Sequence, residues 1–280
     1  MKLVTWNTQW CRGLDGQVRP ERIVQVARAL ADFDLLCLQE VADGYPRLPG
    51  DASADQFARL AQLLPGFRVI PGPSVEEWDE QGRRSRFGNL LATRLPITQV
   101  RHHALPWPPD PGQESMPRSC VSVTLRDPQL GAVRVMTTHL EYYSQRQRAA
   151  QAQALRELHR EACAVAAAPP EAVDDGAPPL VKLYTDRAIL CGDFNLQAQD
   201  PEYAALTGTG PAPWHDSWRL LHGDAPHPPT FKLYDQRYGK EPVACDFVFV
   251  SEALKDRVRS LSVDGATQAS DHQPVFVEIG

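Results

Sequence analysis

Apolar positions along this chain follow two rhythms. In "KLVTW", "DLLCLQE" and "AILCGDFN" they form short dense runs rich in Leu, Ile and Val, the signature of buried strands. In "RPERIVQVARALADF" they recur at helical spacing, with Ile23, Val26, Ala27 and Leu30 on one face and Pro20 suited to the first turn. "ADQFARLAQLL" repeats that period through Phe57, Leu60, Ala61 and Leu64. Five strand candidates then follow with little helix between them: "FRVI", "GNLLAT", "ITQVRHH", "CVSVTL" and "VRVMTTHL". Such a run predicts antiparallel pairing there, not a doubly wound parallel sheet throughout. Ser144 and Gln147 have capping-box spacing and open the longest predicted helix, Gln145 to Ala166.

Two Pro-rich stretches interrupt the pattern. "LPWPPDPGQESMP" joins two strands, and the Pro- and Ala-rich stretch at about 167–180 reads as a surface loop. Chemically related residues lie on both sides of the latter, so one domain over 1–280 is expected. No repeat recurs at a fixed period.

Composition narrows the class. A length of 280 residues with 42% hydrophobic content is ample for a core, and a net charge of −6 lacks the broad basic footprint of a nonspecific nucleic-acid binder. The six cysteines are widely spaced without a CxxC pair and several sit in apolar runs such as "LLCLQE", which reads as small buried hydrophobes. Met1 and Lys2 lead straight into "LVTWN", and no apolar run is long enough to span a bilayer. The expectation is a cytoplasmic protein with no membrane-spanning segment and no obligate protein partner.

The chemistry gathers where strands stop. "LVTW" ends at Asn7, "DLLCL" at Glu40, "VRVMTT" at His139, and "ILCG" at Asp193 and Asn195. Asp246 begins "DFVFVS", and Asp271 and His272 precede the final strand "VFVEI". Gly, Asp and Asn are ordinary turn formers, so "GDFN" alone reads as a turn. Turns do not, however, require Glu, His, Asp and Asn at one strand end after another. Placed along one rim, Glu40, Asp193, Asp246 and Asp271 with the oxygens of Asn7 and Asn195 form a hard oxygen set suited to Mg²⁺ or Mn²⁺. Imidazoles at His139 and His272 add donors for phosphate oxygens, and together these are what phosphodiester hydrolysis needs.

The ordered blocks "TWN", "LQE", "FGNLLATRLPI", "TTHL", "GDFN", "DFVFVS" and "SDH" resemble the endonuclease/exonuclease/phosphatase superfamily, from Thr5 to Pro274. The resemblance implies a four-layer α/β/β/α sandwich of two mixed β-sheets, with the active site where strand ends of both converge. It implies Glu40 as principal metal ligand with Asn7 and Asp271 near the same ion, and Asp193 as the group that orients or activates water, which Asn195 helps to hold. His272 would contact the phosphate, oriented by Asp246, and His139 would donate to the phosphate or assist the leaving group. Asn89 would support the site, with Arg118 and Thr230 as phosphate-side contacts.

Substrate class is less specific. His139 stands where abasic-site endonucleases carry Tyr, which moves the chain towards nuclease-like, sphingomyelinase-like and phosphatase-like branches. A phosphodiester of nucleic acid is the leading expectation, a small phosphate ester or lipid headgroup the second, and a noncatalytic phosphate binder the third. Arg83, Arg84 and Arg86 either line the site mouth or form a solvated loop beside Glu76, Glu77, Asp79 and Glu80. Tyr142 and Tyr143 either stack on a base or, as the favoured reading, pack the start of the long helix. Trp78, Trp107 and Trp214 are placed in loops.

Overall fold

The computed structural model describes residues 1–171 and 183–280. The expected Pro- and Ala-rich surface loop falls largely on 172–182, outside the described residues. In chain order the first half comprises β1 (Lys2–Asn7), α1 (Pro20–Leu30), β2 (Leu35–Asp43), α2 (Gln56–Leu63), β3 (Arg68–Trp78), β4 (Arg84–Thr93), β5 (Ile97–Ala104), β6 (Ser119–Asp127) and β7 (Gly131–His139). The second half comprises α3 (Gln145–Ala167), β8 (Ala188–Asp193), α4 (Pro201–Thr207), β9 (Trp214–Asp216), α5 (Ser217–His222), β10 (Asp246–Ser251), β11 (Val258–Val263) and β12 (Val275–Ile279).

Two six-stranded sheets result, ordered β11-β12-β1-β2-β4-β3 and β5-β6-β7-β8-β10-β9. β1 is parallel to β2 and β7 to β8, and the other pairings are antiparallel. The middle strands therefore pair antiparallel as expected, divided between the sheets. Pro71 and Pro73 lie within β3, where an edge position leaves one side free of ladder bonds and so tolerates a missing N–H.

Strand alternation builds the layers. Leu3, Leu35, Cys37, Val121, Val135, Ile189 and Val248 meet between the sheets. Their neighbours Val4, Leu36 and Leu38 face outward onto Ile23, Ala27, Phe57 and Leu60 of α1 and α2. On the other side Met136, Leu190, Phe194 and Phe249 pack under Ala152 and Leu155 of α3. Each such Leu or Ile, fully withdrawn from water, contributes about 1.5–3 kcal/mol before entropy is counted. The four-layer sandwich thus follows from period-two strands whose faces are both apolar. Among the described residues no helix is long and apolar enough to cross a membrane.

Several local expectations change. Ser144 caps α3, its Oγ accepting from Gln147 N at 3.1 Å, yet Gln147 does not close the capping box. Its Nε2 donates instead to Pro108 O at 3.0 Å, and Gln151 Nε2 donates to Pro106 O at 3.2 Å, so both glutamines hold the first Pro-rich loop. Trp214 is not in a loop but buried in β9, stacked on His159 at 4.1 Å between ring centroids. The cysteines are free and buried as expected, except Cys163, which is half-buried.

His159 carries a testable consequence. Arg134 Nη2 lies 2.9 Å from His159 Nδ1, and a guanidinium can only donate, so the imidazole is neutral with its proton on Nε2. Burial and the Arg134 charge push its pKa down to about 3. Between about 3 and the ordinary value near 6.5 the unfolded chain holds the extra proton, so stability falls as pH drops through that window. The expected result is that His159→Gln, which keeps an acceptor for Arg134, lessens the acid sensitivity of urea unfolding. The change in slope should approach about 1.4 kcal/mol per pH unit. Identical slopes for wild type and variant between pH 7 and 5 would show that His159 titrates normally.

Candidate active site

Strand register aligns the site. His139 on β7 pairs with Asp193 on β8, which pairs with Asp246 on β10, so three of the candidate groups occupy one row across the second sheet. Asn7 and Glu40 arrive from the ends of β1 and β2 in the first sheet. The sheets join chemically at Asp193, where Oδ2 accepts from Asn7 Nδ2 at 2.9 Å and Oδ1 accepts from the backbone N–H of Asn195 at 2.9 Å.

Glu40 reaches the site through a backbone irregularity. The β2–β4 register shifts between Leu38 and Val41, and Glu40 has φ of 58°, a left-handed conformation uncommon outside glycine. Regular alternation would place Glu40 on the side of Leu36 and Leu38, beneath the helices. The bulge frees it from that side. Asn195 also has φ of 50°, and Gln9 and Trp10 have φ of 46° and 45°, so backbone strain concentrates around one cleft.

That cleft, a cavity of about 170 Å³, brings together Glu40, Arg118, His139, Asp193, Asn195, Asp271 and His272. Asn7 and Asp246 stand directly behind it as hydrogen-bond partners of Glu40 and His272. Asn89 is fully buried and ties the sheets together, Nδ2 donating to Ser119 O at 3.1 Å. Thr230 does not reach the cavity. Its Oγ1 accepts from the backbone N–H groups of Cys245 and Asp246 at 3.1 and 3.2 Å, which fixes the start of β10. Arg118 lines the cavity with its charge already paired, Nε lying 3.2 Å from the buried Glu141 Oε2.

The two histidines are held in opposite states. At His272, burial opposes a positive charge, but Asp246 and Asp193 on either side outweigh it and push the pKa well above the ordinary value. Nδ1 donates to Asp246 Oδ2 at 2.8 Å, Nε2 lies 3.7 Å from Asp193 Oδ2, and the ring stacks on Phe231 at 4.3 Å. At His139, burial and then the Arg118 charge push the pKa down to about 3. The 3.3 Å approach of Asp193 to His139 Nε2 is therefore not an ion pair. Asn195 Nδ2 donates to that bare nitrogen at 3.0 Å and to Leu140 O at 2.9 Å. A proton on Nε2 has to displace Asn195 before His139 can donate to a phosphate.

Two groups of side chains are candidates for a cation. Ligand atoms of Asp193, Cys245, Asp246 and His272 lie within 4.8 Å of one another. Here the imidazole is protonated, the thiol donates to Asp246 at 3.5 Å, and burial raises its pKa well above normal, so these atoms are occupied with each other. Glu40 and Asp271 differ. Burial, and next the Asp271 charge, push Glu40 up to about 7, and burial raises Asp271. Their acceptors face amides, Asn7 Nδ2 at 3.2 Å and Gln9 Nε2 at 2.6 Å. Two desolvated carboxylates, one of which raises the pKa of the other, fit a hard divalent ion better than a thiol and imidazolium do. Asn7 turns its nitrogen to Glu40, while its Oδ1 accepts from Gln9 N at 3.1 Å.

Sequence reasoning missed part of the rim. Gln9 grips Asp271 across 262 positions, and Tyr238 and Phe231 reach the cavity from a loop without regular structure. Tyr142 and Tyr143 do not pack the helix start. They are exposed at the cavity, edge-to-face with each other at 4.9 Å, and Tyr142 meets Tyr238 at 6.2 Å. The arginine cluster is neutralised, Arg83 by Asp79, Arg84 by Glu76, and Arg86 by Asp43 and Asp55.

Comparison with known proteins decides the family. Residues 4–272 match the Endonuclease/Exonuclease/phosphatase family. The chain belongs to that family. Its members are phosphoric ester hydrolases, generally dependent on a divalent metal, and this chain is a phosphoesterase of the same fold. The sequence has no match among curated proteins. Among solved structures, an endonuclease/exonuclease/phosphatase from Beutenbergia cavernae DSM 12333 is 26% identical, with a TM-score of 0.65 over 100% of this chain and 72% of that one. A mannosyl-6-phosphatase of Bacteroides thetaiotaomicron VPI-5482 is 21% identical, with a TM-score of 0.68 over 100% of this chain and 99% of that one. TDP2 of D. rerio, complexed with a single strand DNA product, is 16% identical, with a TM-score of 0.65 over 100% and 98%.

Proposed function

We propose that this phosphoesterase hydrolyses phosphodiester bonds of single-stranded nucleic acid, using Mg²⁺ or Mn²⁺. The observation that carries the reading is the exposed aromatic rim of Tyr142, Tyr143 and Tyr238 beside Asp193 and His272. Aromatic faces bind unpaired bases whatever their sequence. The paired state of Arg83, Arg84 and Arg86 argues against a long duplex track. A TDP2 structure of the same fold that holds single-strand DNA product agrees with this choice.

In this reading Glu40 and Asp271 would hold the divalent ion, which when bound neutralises charge on a phosphoryl oxygen. Asp193 orients a water for attack and takes its proton, held in place by the Asn7 amide and the Asn195 backbone N–H. His272 presents a cationic Nε2 to the phosphate, with Asp246 fixing the ring. His139 in its neutral state locks the Asn195 carboxamide at the cavity wall.

A second reading is a small phosphate monoester substrate. It draws on the same scarcity of free cations, and a mannosyl-6-phosphatase shares the fold. Replacing both Tyr142 and Tyr143 with Ala separates the two. The expected result is a rise of roughly tenfold or more in KM for a single-stranded oligonucleotide, since one stacked base is worth about 1–3 kcal/mol. Hydrolysis of a sugar phosphate should be unchanged. An unaltered oligonucleotide KM would remove the support for base stacking.

Glu40→Gln tests the ion. A carboxamide keeps the shape but loses the charge, so the metal concentration for half-maximal rate should rise by at least roughly tenfold, the loss typical even of groups that only support a ligand. An unchanged metal dependence would exclude Glu40 as a principal ligand.

A further inference from the structure

A second cavity, of about 300 Å³, lies on the outward face of β5, β6 and β7, walled by Leu158 and Val165 of α3. It shares no lining residue with the catalytic cleft. Its floor is set by strand register. Gln99, Thr124 and Arg134 pair across the three strands, and Arg101 pairs with Ser122 in the adjoining row. Behind this floor, the opposite face of β6 and β7 carries Val121, Val123, Val133 and Val135 into the inter-sheet core. Further along the same outward face, Cys120 and Met136 meet the helix in the usual apolar way. A polar floor under a helix therefore needs its own explanation.

Arg134 is the centre of that floor. Its Nη1 donates to Leu158 O at 3.2 Å and its Nη2 to the neutral His159, while its buried Nε has no partner. Among the described residues neither Arg134 nor the exposed Arg101 forms an ion pair. Glu161, the one acid in the lining, stands across the cavity wall on α3. A guanidinium withdrawn from water and answered only by neutral acceptors is costly, and an anion is the ordinary remedy. Arginine forks with hydroxyls from Ser122 and Thr124 are the donors that tetrahedral oxyanions take.

We propose that this cavity binds a small oxyanion of the phosphate class at a site distinct from the catalytic one. The test is calorimetric titration of the full chain with inorganic phosphate in EDTA, comparing wild type with Arg134→Gln, Arg101→Gln and His272→Gln. Arg101 is exposed, so its variant folds even if Arg134→Gln is unstable. The expected result is that the Arg101 and Arg134 variants each weaken phosphate binding by roughly tenfold or more, as loss of a charged hydrogen bond implies. They should keep wild-type turnover, and His272→Gln should leave this binding intact. Absence of phosphate binding in wild type overturns the proposal. So does binding that survives both arginine substitutions and disappears in His272→Gln.

Discussion

Asp193→Asn is expected to fold normally and lose roughly 10²- to 10⁴-fold in kcat, the range lost when a positioned proton acceptor is removed. Asp193 makes two kinds of contact at once, Oδ1 with the Asn195 backbone and Oδ2 with the Asn7 amide. A carboxamide offers only one oxygen, so one of these donors loses its partner, at a cost of about 1 kcal/mol in stability. That is small beside the chemical loss. Because Asp193 acts on the water and not on the substrate's remote parts, KM should change little, the pattern of an interaction made in the transition state. Single-turnover rates with circular dichroism as a folding control measure this. A rate within a few-fold of wild type would remove Asp193 from the chemistry.

The largest stability effect is expected one residue earlier, at Gly192→Ala. Gly192 has φ of +138°, and a Cβ there would lie 1.9 Å from Thr138 O, its partner across the β7–β8 ladder. A backbone oxygen in a ladder cannot move aside, so strands carrying His139 and Asp193 would have to part. A loss on the order of 3 kcal/mol or more is expected, combining left-handed strain with a backbone clash. Gly66→Ala is the control, since Gly66 has φ of +84° with nothing within 4 Å of the added carbon. There only the conformational penalty remains, about 1 kcal/mol. Equal unfolding midpoints for the two variants in urea would show that the close approach at Gly192 is not tight.

These two neighbours illustrate what a sequence can and cannot disclose. Apolar runs ending in Asn7, Glu40, His139 and Asp193 made the rim legible, because strand period and strand end are local properties. Phe194 in the core, fully buried against Phe249, follows from the same alternation. The turn of Glu40 into the cleft does not, since alternation alone sends it beneath α1 and α2 and only a bulge against β4 redirects it. Thr230 looked like a phosphate contact because a hydroxyl after "PP" carries no sign of direction, yet it serves two backbone donors behind Asp246. The hold of Gln9 on Asp271 and the meeting of Tyr142 with Tyr238 depend on how loops from distant parts of the chain close over one another. The arginines beside "FGN" were legible as charge, but their pairing with Asp79, Glu76, Asp43 and Asp55 depends on hairpin geometry. The missed strand β9 is three residues long, too short for any periodicity.

The most direct test is a single rate comparison: cleavage of an end-labelled single-stranded oligonucleotide by wild type and Asp193→Asn in Mg²⁺, Mn²⁺ or EDTA, with a sugar phosphate assayed in parallel. Metal-dependent scission of the oligonucleotide, abolished in EDTA and in the variant and faster than release of phosphate from the sugar ester, is the predicted result. Preferential turnover of the sugar phosphate with the oligonucleotide left intact would contradict it.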